Sequence, residues 1–252
     1  MSAAHVLAAS GLSVSIGGAS ILDGIDLDVD AGELIGVIGP NGAGKTTLFN
    51  VLSGILAPTA GRVWLDGQDV TTRSVVQRAR AGLGRSFQTS SLFPELTVLE
   101  NVRIAAQAAR GRSLSLLARP RATDAATVAA RQRLAEVGLA DRAGSPVAAL
   151  PHGDQRKVEI AMLLALDPKV ILLDEPMAGV ATGDVAGLVE LIRLVHRDQG
   201  RTVLMVEHHI DVVLGLADRV AVLHHGRLLA CATPAEVMAD PLVQSAYLGR
   251  AA

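Results

Sequence analysis

The sequence predicts an α/β protein whose parallel-sheet core is interrupted by a helical insertion. Three observations carry that prediction. Residues 39–47 read G-P-N-G-A-G-K-T-T, between an apolar run at 34–38 and a helix-like segment at 48–52. Residues 170–173 form a second apolar run that ends on Asp174 and Glu175, the pattern of a strand buried on both faces. Strand and helix patterns alternate up to Gln88 and again from Gly153, while helical patterns alone lie between.

In chain order, residues 6–16 and 21–29 read as strands; in the second, Ile21, Ile25, Leu27 and Val29 largely alternate with polar residues. The turn residues Pro58, Thr59, Ala60 and Gly61 precede a short strand at 62–65, which ends at Asp66 and Gly67. A helix is expected over 74–81 and a strand over 83–88, ending on Gln88. Helices are expected over 98–110 and 124–137, with a basic, proline-broken stretch at 110–121 between them. A helix from 153 to 166, the buried strand at 170–173, a helix over 184–199 and a strand over 202–206 resume the alternation. In the helix over 184–199 the apolar residues at 185, 188, 189, 192 and 195 fall on one face.

Composition narrows the class. A chain of 252 residues accommodates one α/β domain, with or without a smaller subdomain. Lys and Arg total 23 against 25 Asp and Glu, a net charge of −2, which leaves no electrostatic footprint for nucleic acid. Half the residues are hydrophobic and the mean hydropathy is +0.38, yet no apolar run approaches the ~20 residues of a membrane helix. Residues 1–10 lack the basic start of a secretory signal. Cys231 is the single cysteine, so no internal disulfide forms and a cytosolic setting fits. A chain this apolar is expected to bury surface against partners. No N-K-x-D motif for reading guanine occurs.

The motifs carry the chemistry. Gly39, Gly42 and Gly44 allow turns that a Cβ forbids. The loop of Gly39, Pro40, Asn41, Gly42, Ala43, Gly44, Lys45, Thr46 and Thr47 can then aim its N–H groups inward as a nest for phosphate oxygens. The following helix adds the positive end of its dipole. Lys45 is placed for the β- and γ-phosphates and the Thr46 hydroxyl for Mg²⁺. Asp174 reads as the acid that holds Mg²⁺ or its water shell. Glu175 reads as the base that takes a proton from the attacking water. Gln88 offers an amide whose oxygen would ligate Mg²⁺ and whose NH2 would orient water, although a lone glutamine specifies neither. His208 reads either as a donor to a γ-phosphate oxygen or as a surface histidine. Adjacent residues on a strand or helix point apart, so His208 with His209 and His224 with His225 make poor chelating pairs.

With these pieces in place the chain resembles an ATP-binding-cassette (ABC) ATPase over nearly its whole length. The matching residues are the loop at 39–47, Gln88, Leu150-Pro151-His152-Gly153-Asp154-Gln155-Arg156 where the signature belongs, residues 170–175, and His208. Phe49-Asn50, Arg85-Ser86-Phe87-Gln88, Leu92-Phe93, the T-V-L-E-N-V at 97–102, Glu159-Ile160-Ala161, Glu207-His208 and Ala246-Tyr247-Leu248-Gly249 are similar to a narrower group. It is the ATPase subunits of branched-chain amino-acid uptake transporters, in particular the longer of their two ATPases. Importers of urea and aromatic acids have similar subunits. The lipopolysaccharide-export ATPase shares the Tyr-Leu-Gly ending but usually has proline where this chain has Phe87.

The resemblance implies one ABC ATPase domain, with 1–88 and 151–252 as a RecA-like P-loop core plus an antiparallel β subdomain, and 89–150 as a helical subdomain. It implies ATP and Mg²⁺ as ligands and a second ATPase subunit, identical or not, met head to tail. It also implies two transmembrane permease subunits gripped by the helical subdomain, with Gln88 as the joint, and an external binding protein acting indirectly. The location implied is the cytoplasmic face of the inner membrane. The signature residues Pro151, His152, Gly153 and Asp154 of one chain would close over the ATP of the other.

Four departures accompany the resemblance. Pro151 replaces the usual signature serine, so a hydrogen bond worth about 1.5–3 kcal/mol is missing. Gly153 and the helix dipole remain, and proline is at ease at a helix start; a weakened signature is expected. Ile16 occupies the place of an aromatic that stacks on adenine, an interaction worth about 1–3 kcal/mol. Ala181 replaces an Asp or Asn, which implies weaker crosstalk between the two ATP sites. Ala232 replaces a glycine. Arg110, Arg112, Arg119, Arg121, Arg131 and Arg133 read either as a solvated face or as contacts to lipid headgroups or acidic permease loops, each worth about 1 kcal/mol near an anionic leaflet. A different class of function, a subunit that binds ATP but hydrolyses little beside a more active partner, draws on Pro151 and Ala181.

Overall fold

The computed structural model describes residues 5–86, 92–110 and 124–248. Their elements run β1 (Leu7–Ile16), β2 (Ala19–Val29), β3 (Leu34–Ile38), α1 (Lys45–Ser53), β4 (Ala60–Leu65), β5 (Gln68–Asp69), α2 (Val75–Ala81), β6 (Leu83–Arg85), α3 (Val98–Ala109), α4 (Ala125–Glu136), α5 (His152–Ala165), β7 (Val170–Asp174), α6 (Thr182–Arg193), β8 (Thr202–Val206), α7 (Ile210–Leu216), β9 (Arg219–His224), β10 (Arg227–Ala232), α8 (Pro234–Ala239) and α9 (Pro241–Leu248). One compact unit holds the described residues of 1–85, 169–175 and 193–252; a second holds those of 86–168 and 176–192.

The first unit contains two sheets. One has the order β10-β9-β3-β8-β7-β6, parallel from β9 to β6 with β10 antiparallel at the edge. Every residue of β3, β7 and β8 is buried. Coverage of both faces is why these strands read as unbroken apolar runs. The other sheet is antiparallel, in the order β2-β1-β4-β5. Its inward residues, among them Leu12, Val14, Leu22 and Ile25, share one core with Leu48, Phe49 and Leu52 of α1. Each such fully buried side chain contributes about 1.5–3 kcal/mol relative to exposure. β4 starts at Ala60, inside the expected turn, because Ala60 pairs with Ser13. β6 ends at Arg85 rather than at Gln88; Gln88 lies outside the described residues. The helix expected over 184–199 is α6 followed by a π-helical turn at Leu194–Asp198.

In the second unit α3, α4 and α5 pack on one another. Val98 and Val102 of α3, Ala130 and Leu134 of α4, and Val158, Ala161 and Leu164 of α5 are buried. A capping box fixes the start of α3, with Thr97 bonded to the Glu100 amide and Glu100 to the Thr97 amide. Asn101 is fully buried and fully engaged: its Oδ1 accepts from the Phe93 amide at 2.8 Å, and its Nδ2 donates to the carbonyls of Phe93 and Thr97 at 3.1 and 3.0 Å. The helical piece expected at 89–150 is thus part of a larger unit that also takes in α5 and most of α6. Arg112, Arg119 and Arg121 lie outside the described residues, while Arg133 pairs with Glu136 at 2.8 Å. Among the described residues no helix is long and apolar enough to cross a membrane.

Candidate nucleotide site

β3 delivers the chain to Gly39, and α1 begins at Lys45. The loop between them is shaped by close backbone approach. A Cβ on Gly39 would lie 2.2 Å from the Leu223 carbonyl oxygen of β9. One on Gly44 would lie 2.7 Å from Leu22 Cδ2 and 3.0 Å from the Ile21 carbonyl oxygen of β2. Gly42 has φ +80° and open space where its Cβ would be. From the β9–β10 turn the Gly226 amide donates to the Ala43 carbonyl at 3.1 Å. Lys45 is buried, and its Nζ donates to the carbonyls of Gly39 and Pro40 at 2.6 and 3.0 Å. Burial lowers the pKa of that ammonium, and the Glu175 carboxylate pulls the other way. Gly44 is the N-cap of α1 and no side chain caps the helix. Thr46 and Asn41 are exposed, Pro40 and Thr47 half-buried.

The carboxyl ends of β7 and β8 supply the acids and the histidine. Asp174 is buried, and its Oδ2 lies 2.7 Å from Arg85 Nη2; the side chains are 1% and 8% exposed. Arg85 Nη1 donates to Asn50 Oδ1 at 2.8 Å and to Ser53 Oγ at 2.7 Å, both on α1. The Arg85 guanidinium also stands 5.9 Å from the centre of the Phe49 ring. At Glu175 the backbone turns left-handed, φ +49°, as β7 ends. A non-glycine residue in that region is strained by ~1–3 kcal/mol, a feature that gathers at functional sites. The Glu175 amide is held by the Val206 carbonyl at 2.9 Å. Its Oε1 lies 3.0 Å from Nε2 of His208. The His208 amide in turn donates to the buried carboxylate of Glu207 at 3.0 Å, and His209 Nδ1 lies 3.2 Å from the same oxygen.

These residues fit a nucleoside triphosphate with Mg²⁺. The loop packs too closely on β9 and β2 at Gly39 and Gly44 to admit side chains, it leads into a helix N-terminus, and it holds a buried ammonium. Among the described residues no group of three or more His, Cys, Asp or Glu is disposed to hold a metal by itself. The oxygen donors Thr46 and Asp174 suit a hard cation that takes one or two protein ligands and completes its octahedron with water and phosphate.

Of the other expected site residues, Gln88 falls outside the described residues. Ile16, at the end of β1, is 57% exposed. The signature residues belong to the second unit. Pro151 is the N-cap of α5, with φ −56° and ψ 154° and no side-chain cap. His152 is exposed, and Asp154 is held by Lys157 at 2.9 Å. Gly153 is buried, and a Cβ there would lie 2.9 Å from Asp184 Cβ. Ala181 lies next to the first residue of α6 and offers no side-chain acceptor to it. Four residues around the loop and α1 were given no role by the sequence: Arg78, Arg85, Glu207 and Gly226. Arg85 and Glu207 lie inside motifs that carry the resemblance but had no partner named for them, and Gly226 follows His225 between two apolar runs, a hairpin signal. Arg78 carried no signal at all.

Comparison with known proteins assigns the chain to a family. The profile of the ABC transporter family matches residues 22–178, and that of the branched-chain amino acid ATP-binding cassette transporter matches residues 227–252. The high-affinity branched-chain amino acid transport ATP-binding protein LivG of Salmonella typhimurium is 38% identical over 251 residues, 98% of each chain. BraF of Pseudomonas aeruginosa, with the same description, is 36% identical over 253 residues, again 98% of each. Among solved structures, the ADP conformation of MJ1267, an ATP-binding cassette of an ABC transporter, superposes with a TM-score of 0.85 at 29% identity, covering 98% of this chain and 100% of that one. The chain belongs to the ABC transporter ATP-binding subunits, in their branched-chain amino-acid uptake branch.

Proposed function

We propose that this chain binds and hydrolyses ATP to power uptake of branched-chain amino acids, as a peripheral subunit on the cytoplasmic face of the membrane. In this reading it acts as a single ABC ATPase domain. A second ATPase subunit meets it head to tail, two permease subunits span the membrane, and an external binding protein delivers the substrate. Residues 89–150 face the permease, with Gln88 as the joint.

Lys45 and the loop at 39–47 hold the β- and γ-phosphates, while Thr46, Asp174 and Gln88 hold Mg²⁺. When bound there, Mg²⁺ would supply positive charge against the charge that develops on the phosphate oxygens. Glu175 accepts the proton of the attacking water, and His208 orients Glu175 and donates toward the γ-phosphate. Pro151, His152, Gly153 and Asp154 close over the partner's nucleotide. The observation that carries the reading is the setting of Glu175: strained at a strand end, 3.0 Å from His208, and close enough to Lys45 for its charge to oppose the lowering of the ammonium pKa by burial.

Glu175→Gln keeps the shape and removes the base. In the reconstituted transporter it is expected to lower ATP turnover by about 10²–10⁴-fold, with ATP affinity retained and uptake of labelled leucine lost. Turnover at the parental level would place the base elsewhere. Normal leucine uptake in a deletion strain without a redundant system would remove the substrate assignment.

A further inference from the structure

One buried cation grips both halves of the proposed magnesium site from behind. Thr46, Asn50 and Ser53 stand at i, i+4 and i+7 on α1, so they share one helical face. Arg85 binds two of the three, through Nη1 to Asn50 Oδ1 and to Ser53 Oγ. Its Nη2 binds Asp174 Oδ2. The guanidinium is planar and its donors sit in a rigid fork. It therefore fixes the face of α1 that carries the Thr46 hydroxyl at a set spacing from the Asp174 carboxylate. Ser53 is itself immobilised, its hydroxyl donating to the Phe49 carbonyl at 2.7 Å.

We infer that Arg85 is a positioning residue for Mg²⁺: it orients Asp174 and locks the Thr46-bearing helix to it, without touching the ion. The inference rests on the reading of Thr46 and Asp174 as magnesium ligands. Groups that orient metal-binding carboxylates from outside the ligand set are worth about 10–100-fold in metal affinity. A general loss of packing, by contrast, would weaken nucleotide binding whether or not the metal is there.

The test uses the full-length chain and a fluorescent, non-hydrolysable ATP analogue. Its affinity is measured in EDTA and across a MgCl2 titration, for the parent, Arg85→Met, Arg85→Lys and Asp174→Asn. Arg85→Met is expected to leave the affinity in EDTA within about twofold and to raise the Mg²⁺ concentration for half-maximal enhancement by roughly tenfold or more. Arg85→Lys keeps the charge but cannot span Asn50, Ser53 and Asp174 at once, so a shift of about threefold is expected. If Arg85→Met does not fold, Arg85→Lys decides. An unshifted Mg²⁺ requirement in the folded variants, beside a shifted one in Asp174→Asn, overturns the role of Arg85 alone. Equal losses in EDTA and in Mg²⁺ also overturn it. An unshifted Asp174→Asn removes the reading of Asp174 and the inference with it.

Discussion

At the scale of single residues, the glycines of the phosphate loop are not equivalent. Gly39 is excluded from having a side chain by the Leu223 carbonyl, which a Cβ would approach to 2.2 Å. Gly42 is restricted only by its φ of +80°, with open space around it. A backbone carbonyl held in a central strand cannot swing away, so Gly39→Ala is expected to cost about 3 kcal/mol, at the upper end of overpacking. Gly42→Ala should cost about 1–2 kcal/mol, the price of a left-handed alanine. Urea unfolding midpoints of the two variants check the order; equal midpoints would mean that the loop relaxes around Gly39. The motif made all three glycines legible but gave them one shared reason. The neighbours that Gly39 and Gly44 avoid lie on β9 and β2, far away in sequence. The same limit hid the left-handed backbone at Glu175, which follows from how β7 leaves the sheet and not from any local residue preference.

At the scale of elements, α1 is fixed at its far end by a buried cation. Arg78 of α2 is 1% exposed. It donates to the carbonyls of Val51 and Leu52 at 2.6 and 2.7 Å, in the last turn of α1, and to those of Thr71 and Arg73 at 2.8 and 3.2 Å. Burial lowers its pKa and the Asp69 carboxylate opposes that, but a guanidinium stays charged at neutral pH. A positive charge at this end complements the helix dipole; it satisfies the Leu52 carbonyl and shares that of Val51 with the Gly54 amide, which donates to it at 3.1 Å. Arg78→Met keeps most of the volume and removes the guanidinium donors from the Leu52, Thr71 and Arg73 carbonyls, while Val51 keeps the Gly54 amide, so a loss of about 2–4 kcal/mol in unfolding free energy is expected. Arg78→Lys should recover less than half of it, because one ammonium cannot serve the same spread of oxygens. A denaturant titration showing full recovery with lysine would reduce Arg78 to a simple charge. Strands and helices were mostly legible because burial on two faces, or on one, writes itself into apolar spacing. Arg78 was not, since a lone arginine in a predicted helix reads as solvent-exposed until its cavity is seen.

At the scale of the whole molecule, the alternation around residues 39–47 and 170–175 was legible, whereas the extent of the second unit was not. α5 joins α3 and α4 through the packing of Val158, Ala161 and Leu164, and helical spacing says only that such a face exists, not which element covers it. That membership places Pro151 at the head of α5, and it gives the clearest test of the proposed head-to-tail pairing. With φ −56° and ψ 154°, Pro151 already has the backbone of a helix N-cap, a conformation serine adopts without rearrangement. Pro151→Ser would supply a cap for the amides of the first turn, stabilising the chain by about 0.5–2 kcal/mol. It would also supply a hydroxyl to the partner's γ-phosphate. If the signature acts across the dimer, the second effect appears only in the assembled transporter. Maximal ATP turnover there should rise by up to about tenfold, the equivalent of one modest charge-assisted hydrogen bond, while the isolated chain's affinity for ATP stays unchanged. A gain in melting temperature without a gain in turnover would mean that Gly153 and the α5 dipole already make a fully competent signature. A change in the isolated chain's own ATP affinity would contradict the pairing itself, since a residue that serves only the partner's nucleotide has no way to alter its own.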